Sequence, residues 1–209
     1  MARRLKGMIF DLDGTLVDSR LDFDKMRADI CIPGDQPVLE YVEKLPPGPR
    51  KDQAWQILER HEFQGAHDAT VIPGIIRLLE RLHALGIKRG ILTRNIAGPT
   101  KIVTEKFFGH HFCQIITRDD APPKPDPGGL LKICKAWGIE PQEAIFVGDY
   151  KFDVYAGKNA GMPTILYLGG EEGRPDYADD ASHVIECFET LNDEFEDVVE
   201  RRLGFTLDG

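Results

Sequence analysis

Two carboxylates stand one residue apart at Asp11 and Asp13, behind the apolar run Met8-Ile9-Phe10 and ahead of Gly14 and Thr15. If both continue a strand, its two-residue repeat sends their side chains to one face. Carboxylates side by side repel, so one is hard to ionise unless a cation lies between them. A divalent metal at the carboxyl end of the strand resolves that conflict. Gly14 lets the backbone turn sharply or approach a ligand closely, and Thr15 brings a hydroxyl beside it. The competing reading is a strand that runs into an ordinary Asp-Gly turn, and this stretch alone does not choose.

Three further apolar runs end in polar groups of a complementary kind. Thr93, Arg94 and Asn95 follow 87–92, and Lys124 sits in the proline-rich loop after 113–117. Asp149 follows 144–147, with Asp153 four residues later; on a helical turn that spacing aims both the same way. This set answers the demands of phosphate monoester chemistry. Such an ester is a doubly charged anion whose uncatalysed hydrolysis is among the slowest reactions known. Breaking it calls for a nucleophile, a metal to hold carboxylate and phosphate, a cation for the remaining charge and donors for the equatorial oxygens.

The elements that must position these groups follow from periodicity. Pro73 suits a first helical position. Ile75, Ile76, Leu78, Leu79, Leu82 and Leu85 have helical spacing, and Gly86 ends the run. Strands are predicted at 87–92, 113–117, 144–147, 163–168 and 183–185. Helices are predicted at 99–107, from an Asp126 cap with Pro127 in the first turn to about residue 137, from 150 to about 159, and over 188–202. Strand and helix alternate, which makes the class α/β: a Rossmann-like, mostly parallel sheet with helices on both faces. Ligands of such sheets bind at the carboxyl ends of the strands.

Residues 17–72 differ. Helix-like patches around Leu21, Phe23, Met26 and Ile30, and around Trp55, Ile57 and Leu58, alternate with Pro33, Pro37, Pro46, Pro47 and Pro49. Proline inside a helix costs about 3 kcal/mol, so several short helices are expected, with no strand. The domain reading is a core of 1–16 and 73–209, with a small all-α cap of 17–72 inserted after the first strand.

Composition narrows the class of partner. A net charge of −9 disfavours a general nucleic-acid or anionic-membrane surface, and no apolar run approaches the roughly 20 residues of a membrane span. Cys31, Cys113, Cys134 and Cys187 form no CxxC pair, so neither a metal finger nor a disulfide scaffold is expected and a cytoplasmic setting is. The basic start, through Lys6, leads into no signal-length apolar core.

The stretches Asp11-Leu12-Asp13-Gly14-Thr15, Leu92-Thr93-Arg94-Asn95, Lys124-Pro125 and Gly148-Asp149-Tyr150-Lys151-Phe152-Asp153, in that order at strand ends, resemble the motifs of the haloacid dehalogenase superfamily. The likeness spans nearly the whole chain. Within the superfamily the chain is similar to phosphatases with an α-helical cap after the first strand, in particular the phosphoglycolate phosphatase-like hydrolases. The resemblance implies that Asp11 attacks phosphorus to form an aspartyl-phosphate, and that Asp13 protonates the leaving oxygen and later activates water. It implies Mg²⁺ held by Asp11, the main-chain carbonyl of Asp13 and Asp149, with Asp153 behind them orienting metal waters or Lys124. Thr93 and neighbouring backbone N–H groups would grip the phosphoryl oxygens and Lys124 would neutralise charge; Thr15, Arg94 and Asn95 are further expected at the substrate. A small phosphorylated metabolite is the implied partner, 2-phosphoglycolate the leading candidate, and the implied state a monomer or weak homodimer.

Alternatives stay open at this level. A phosphomutase like the β-phosphoglucomutases needs the same two aspartates, but no sugar-binding set stands out. Dehalogenation of a 2-haloacid fits poorly, because that subgroup lacks the acid at the position of Asp13 and uses no metal. A non-catalytic module would not need every carboxylate kept. Phosphonate hydrolysis would need a cap lysine of lowered pKa, and Lys25, Lys44 and Lys51 lie in polar surroundings. His61, His67, His110 and His111 lack metal-ligand context, and Arg20 reads as a solvated residue near the cap entrance.

Overall fold

A computed structural model describes residues 3–169 and 173–207. Its centre is a six-stranded, all-parallel sheet. The strands are β2 (Gly7–Phe10), β5 (Lys88–Leu92), β6 (Gln114–Ile116), β7 (Ala144–Gly148), β8 (Thr164–Tyr167) and β9 (His183–Ile185), in the spatial order β6-β5-β2-β7-β8-β9. The strand that carries Asp11 therefore lies between β5 and β7, in register Phe10 to Ile91 and Phe10 to Val147. At the sheet margin, β1 (Arg3–Arg4) pairs in parallel with β10 (Phe205–Thr206).

Period-two alternation divides the interior in two. Met8, Phe10, Ile145 and Val147 face α4 (Ile75–Ala84), α5 (Ala97–Phe107) and α8 (Phe188–Asp193) in one cluster. Ile9 and Phe146 face α6 (Gly128–Trp137) and α7 (Lys151–Ala160) in the other. Every residue of β2 and β7 is buried, as strands covered on both faces require. The α/β class with a parallel sheet is thus the observed one.

Between β3 (Val17–Asp18) and β4 (Thr70–Val71) stand three helices: α1 (Phe23–Ile30), α2 (Val38–Lys44) and the 20-residue α3 (Pro49–Asp68). Met26, Ile30, Val42 and Leu58 form a small hydrophobic cluster of their own, with Trp55 and Ile57 against it. Ala66 and Ala69 instead join the sheet's core, so the seam between the two clusters falls at the end of α3.

Three local expectations change. β3 and β4 form a two-residue antiparallel ribbon where no strand was expected, because two residues are too few to show a period. The α6 helix begins at Gly128, since the Asp126 carboxylate accepts the Gly128 N–H at 2.8 Å and makes a turn two residues long instead of a cap. The single helix expected over 188–202 is α8 followed by a π-helical turn, Asp197–Arg202. The reason is tertiary: Arg81 donates to the Asn192 carbonyl and lies over the Phe195 ring, anchoring the break while Phe195 is fully buried.

Candidate active site

Asp11 follows β2 directly, its N–H donating to the Val147 carbonyl at 2.8 Å, so the sheet ladder delivers its carboxylate to the strand tips. Gly14 turns the chain with φ +88°, and a Cβ there would stand 2.3 Å from Asp149 Oδ2. Only glycine lets the loop after β2 and the loop after β7 approach so closely. Gly148 does the same service below, where a Cβ would meet Asp153 at 2.3 Å.

Lys124 is buried and lies between two carboxylates, 2.6 Å from Asp11 Oδ1 and 2.5 Å from Asp153 Oδ1. Its loop is shaped by Asp120, whose carboxylate accepts both the N–H and the hydroxyl of Thr117. Carboxylate oxygens of Asp11, Asp149 and Asp153 all lie within 4.8 Å of one another. Three carboxylates against one ammonium leave two negative charges, which matches a divalent cation with oxygen ligands. Asp153 has both oxygens engaged, by Lys124 and by the Tyr150 N–H at 3.0 Å. That leaves Asp11 and Asp149 as the side chains free to hold a metal, with Asp153 orienting Lys124 from behind.

The electrostatics agree with a site short of positive charge. Burial pushes the Asp11 carboxyl well above its usual range, Lys124 opposing and Asp153 and Asp149 reinforcing the rise. Burial, then the charge of Asp153, also raises Asp149. Burial disfavours the Lys124 ammonium, but Asp11 and Asp153 outweigh it and hold its pKa above the usual lysine value. A cation among these carboxylates would restore their ionised forms.

Asp13 stands apart from that cluster. Its Oδ2 accepts from Asn95 Nδ2 at 3.2 Å, and Ser19 hydrogen-bonds it as well. Burial raises its carboxyl, Ser19 and Asn95 opposing. A shift in that direction favours the protonated form, the one that can protonate a leaving group. Thr93 lines the cavity. Its N–H is bound to the Ile116 carbonyl, and those of Asn95 and Ile96 to Thr93 Oγ1 and Asn95 Oδ1. The donor Thr93 itself can offer an anion is therefore its hydroxyl, and among the neighbouring N–H groups those of Asn95 and Ile96 are already engaged. Thr15 does not line the cavity; its hydroxyl donates to Asp149 Oδ1 at 2.8 Å and orients that carboxylate. Arg94 lines it, but its guanidinium lies 4.2 Å over the Phe152 ring, paired with Glu40.

The cavity measures about 670 Å³. Asp11, Asp13, Thr93, Lys124 and Asp149 form its floor; Arg20, Phe23, Met26, Leu39, Glu40 and Leu58 face them from the helical segment. Arg20 is exposed, in keeping with its reading as a solvated residue, and Lys151 is half-buried over Tyr150 and Phe152. His61 pairs with Asp29, and His110 stacks on His111. Sequence reasoning missed Ser19, Glu40, Glu62 and Arg118. Glu40 meets Arg94 across 54 residues of chain and Glu62 meets Arg118 across 56, so no local pattern could have marked them.

The chain as a whole resembles known proteins. The family model described as haloacid dehalogenase-like hydrolase matches residues 8–167. A haloacid dehalogenase-like hydrolase domain-containing protein of Arabidopsis thaliana is 34% identical over 175 residues, covering 78% of this chain and 71% of that protein. Phosphoglycolate phosphatase 1 of Pseudomonas aeruginosa is 34% identical over 204 residues, covering 83% of this chain and 74% of the relative. The structure of a haloacid dehalogenase-like family hydrolase from Streptococcus pneumoniae superposes with a TM-score of 0.73 at 20% identity, over 91% of this chain and 98% of that one.

Proposed function

Because the chain belongs to the haloacid dehalogenase-like hydrolase family, we propose that it is a Mg²⁺-dependent phosphatase working on a small organic phosphate monoester through an aspartyl-phosphate. The observation that carries this reading is the convergence of Asp11, Asp149 and Asp153 on one point, with Lys124 buried among them. Phosphoglycolate phosphatase relatives make 2-phosphoglycolate the first substrate to test.

An Asp11 oxygen attacks phosphorus, and the bond from phosphorus to the leaving oxygen breaks. Asp13 gives its proton to that oxygen. Asp13 then takes a proton from water, the water oxygen attacks phosphorus, and inorganic phosphate leaves with Asp11 restored. Lys124 and the Thr93 hydroxyl balance and hold the phosphoryl oxygens throughout. Asp11, the Asp13 carbonyl and Asp149 would hold the Mg²⁺, whose part is to draw the carboxylate and phosphate together and screen their charge. Asn95 and Ser19 hold Asp13 at the angle that both proton transfers need.

The domain reading follows from the same site. Residues 17–72 act as a cap over a core of 1–16 and 73–209, tied to it by the ribbon of β3 and β4 and closing over the substrate to exclude water. A panel of phosphate esters, assayed for kcat/KM with Mg²⁺, tests the whole. Release of phosphate from one or more esters by the wild type, and from none by Asp11→Asn, is the expected result. Turnover by Asp11→Asn would refute the nucleophile. Conversion of glucose 1-phosphate to 6-phosphate without net release would mark a mutase instead.

A further inference from the structure

Arg94 and Arg118 each have a helical-segment carboxylate on one side and the main chain of a catalytic loop on the other. Arg94 Nη2 donates to Glu40 Oε1 of α2 at 2.6 Å, while its Nη1 donates to the carbonyl of Lys124 at 2.8 Å. Arg118 forks onto both oxygens of Glu62 in α3, at 2.9 Å for Nη2 to Oε2. The same Arg118 Nη1 donates to the carbonyl of Arg94 at 2.9 Å, and the Arg118 N–H to the carbonyl of Asn95 at 3.1 Å. Asn95 in turn holds Asp13.

We propose that Arg94 and Arg118 are positioning residues that convert the seating of α2 and α3 into the geometry of the Lys124 and Asn95 loops, and so of Lys124 and Asp13. This rests on the phosphatase reading of the site. The Arg118–Glu62 side chains are 8% and 7% exposed, and a buried ion pair adds little stability over apolar packing. What such a pair adds here is direction, because a guanidinium is a planar fork whose donors point at fixed angles. Arg94 gives one arm to the carboxylate and the other to a loop carbonyl, while Arg118 gives both arms to Glu62 and shares Nη1 with the Arg94 carbonyl. When the helices lift away, each arginine loses its carboxylate, becomes hydrated and no longer pins the carbonyl. The acid and the lysine are then in register only while the cap is seated, which couples the reaction to the exclusion of water.

A simpler explanation is that the two pairs merely fasten helix to sheet, and charge reversal separates the two. The variants are Glu62→Gln, the double variant Glu62→Arg with Arg118→Glu, and Glu40→Arg with Arg94→Glu, the last because that pair is less buried and tolerates change better. A reversed pair restores the fastening, yet glutamate has no N–H to give the Arg94 or Lys124 carbonyl. The expected result is a Tm near that of the wild type with kcat on p-nitrophenyl phosphate at least about ten-fold down and KM little changed. Recovery of kcat together with Tm, or a rise in KM alone, overturns the proposal. Amide hydrogen exchange gives an arm independent of turnover. Glu62→Gln should speed exchange at Arg118 and through 93–96, which Glu62 does not itself touch; unchanged exchange there overturns the proposal even if the wild type turns over no phosphate ester.

Discussion

At the strand tips the charged groups hold one another. Lys124 is gripped by Asp11 and Asp153, and Asp149 by Thr15. Across the same cavity two acids of the helical segment find their partners on the sheet side: Glu40 reaches Arg94 and Glu62 reaches Arg118. The strand tips carry their own ion pairs, whereas these two roof acids find theirs on the sheet side. Parallel strands and two close-approach glycines confine the Asp11 and Asp149 end of the floor, while the Lys124 and Asn95 loops also lean on Arg94 and Arg118. A roof that depends on partners in the other half is suited to come and go. On the proposed function, the floor would deal with the phosphoryl group common to every ester, and the roof would meet the leaving group that distinguishes them.

The contrast can be broken first at the floor. Asp11→Asn removes the attacking oxygen's charge, and phosphate release should fall by about 10⁴-fold or more, while circular dichroism stays that of the wild type. Chelation with EDTA should silence the enzyme and added Mg²⁺ restore it; activity surviving chelation would dissolve the argument from charge balance. Asp13→Asn keeps the shape and the Asn95 contact but has no acidic proton, so kcat should drop by about 10²–10⁴-fold.

At the roof the effects are smaller and of another kind. Burial pushes the Glu62 carboxyl up to about 7, with Arg118 opposing. A carboxyl raised on folding binds its proton more tightly in the folded state. Its contribution is therefore full below the unfolded value of about 4.5 and is lost as pH rises through about 7. The stability of the wild type relative to Glu62→Gln should increase as pH falls across that window, by roughly 3 kcal/mol in all; urea titrations at several pH values measure it. A flat difference would mean that the pair stays ionised throughout. Smallest of all, Phe23→Ala at the exposed edge of the cavity should raise KM a few-fold for esters with apolar leaving groups and leave kcat nearly alone.

Among the described residues no helix is long and apolar enough to cross a membrane.

How far the site could be read from residues alone differs between the halves. The floor is written in short, contiguous stretches. An apolar run followed by Asp-Leu-Asp-Gly-Thr states both the strand and what stands at its tip, because the pleat couples position to facing. The helix of Ile75, Leu78, Leu79 and Leu82 was equally plain from its spacing. The 188–202 segment was not, because its break is set by Arg81, more than a hundred residues away. Thr15 and Arg94 are expected at the substrate, but their spacing does not say that Thr15 would serve Asp149 and Arg94 would pair with Glu40 over Phe152. That choice depends on which neighbours the loops bring within 3 Å.

Composition, period and strand-end chemistry by themselves determined an α/β fold with its acids, hydroxyl and lysine at the carboxyl edge of one sheet. Those properties are local, fixed by steric repeats of two and 3.6 residues. Only the tertiary structure decided that Asp149 is oriented by Thr15, that Asp13 is held by Asn95 and Ser19, and that Glu40 and Glu62 belong to the site at all. Those contacts join residues distant in sequence, and their energies exist only once the sheet, its loops and the helices above them have come together.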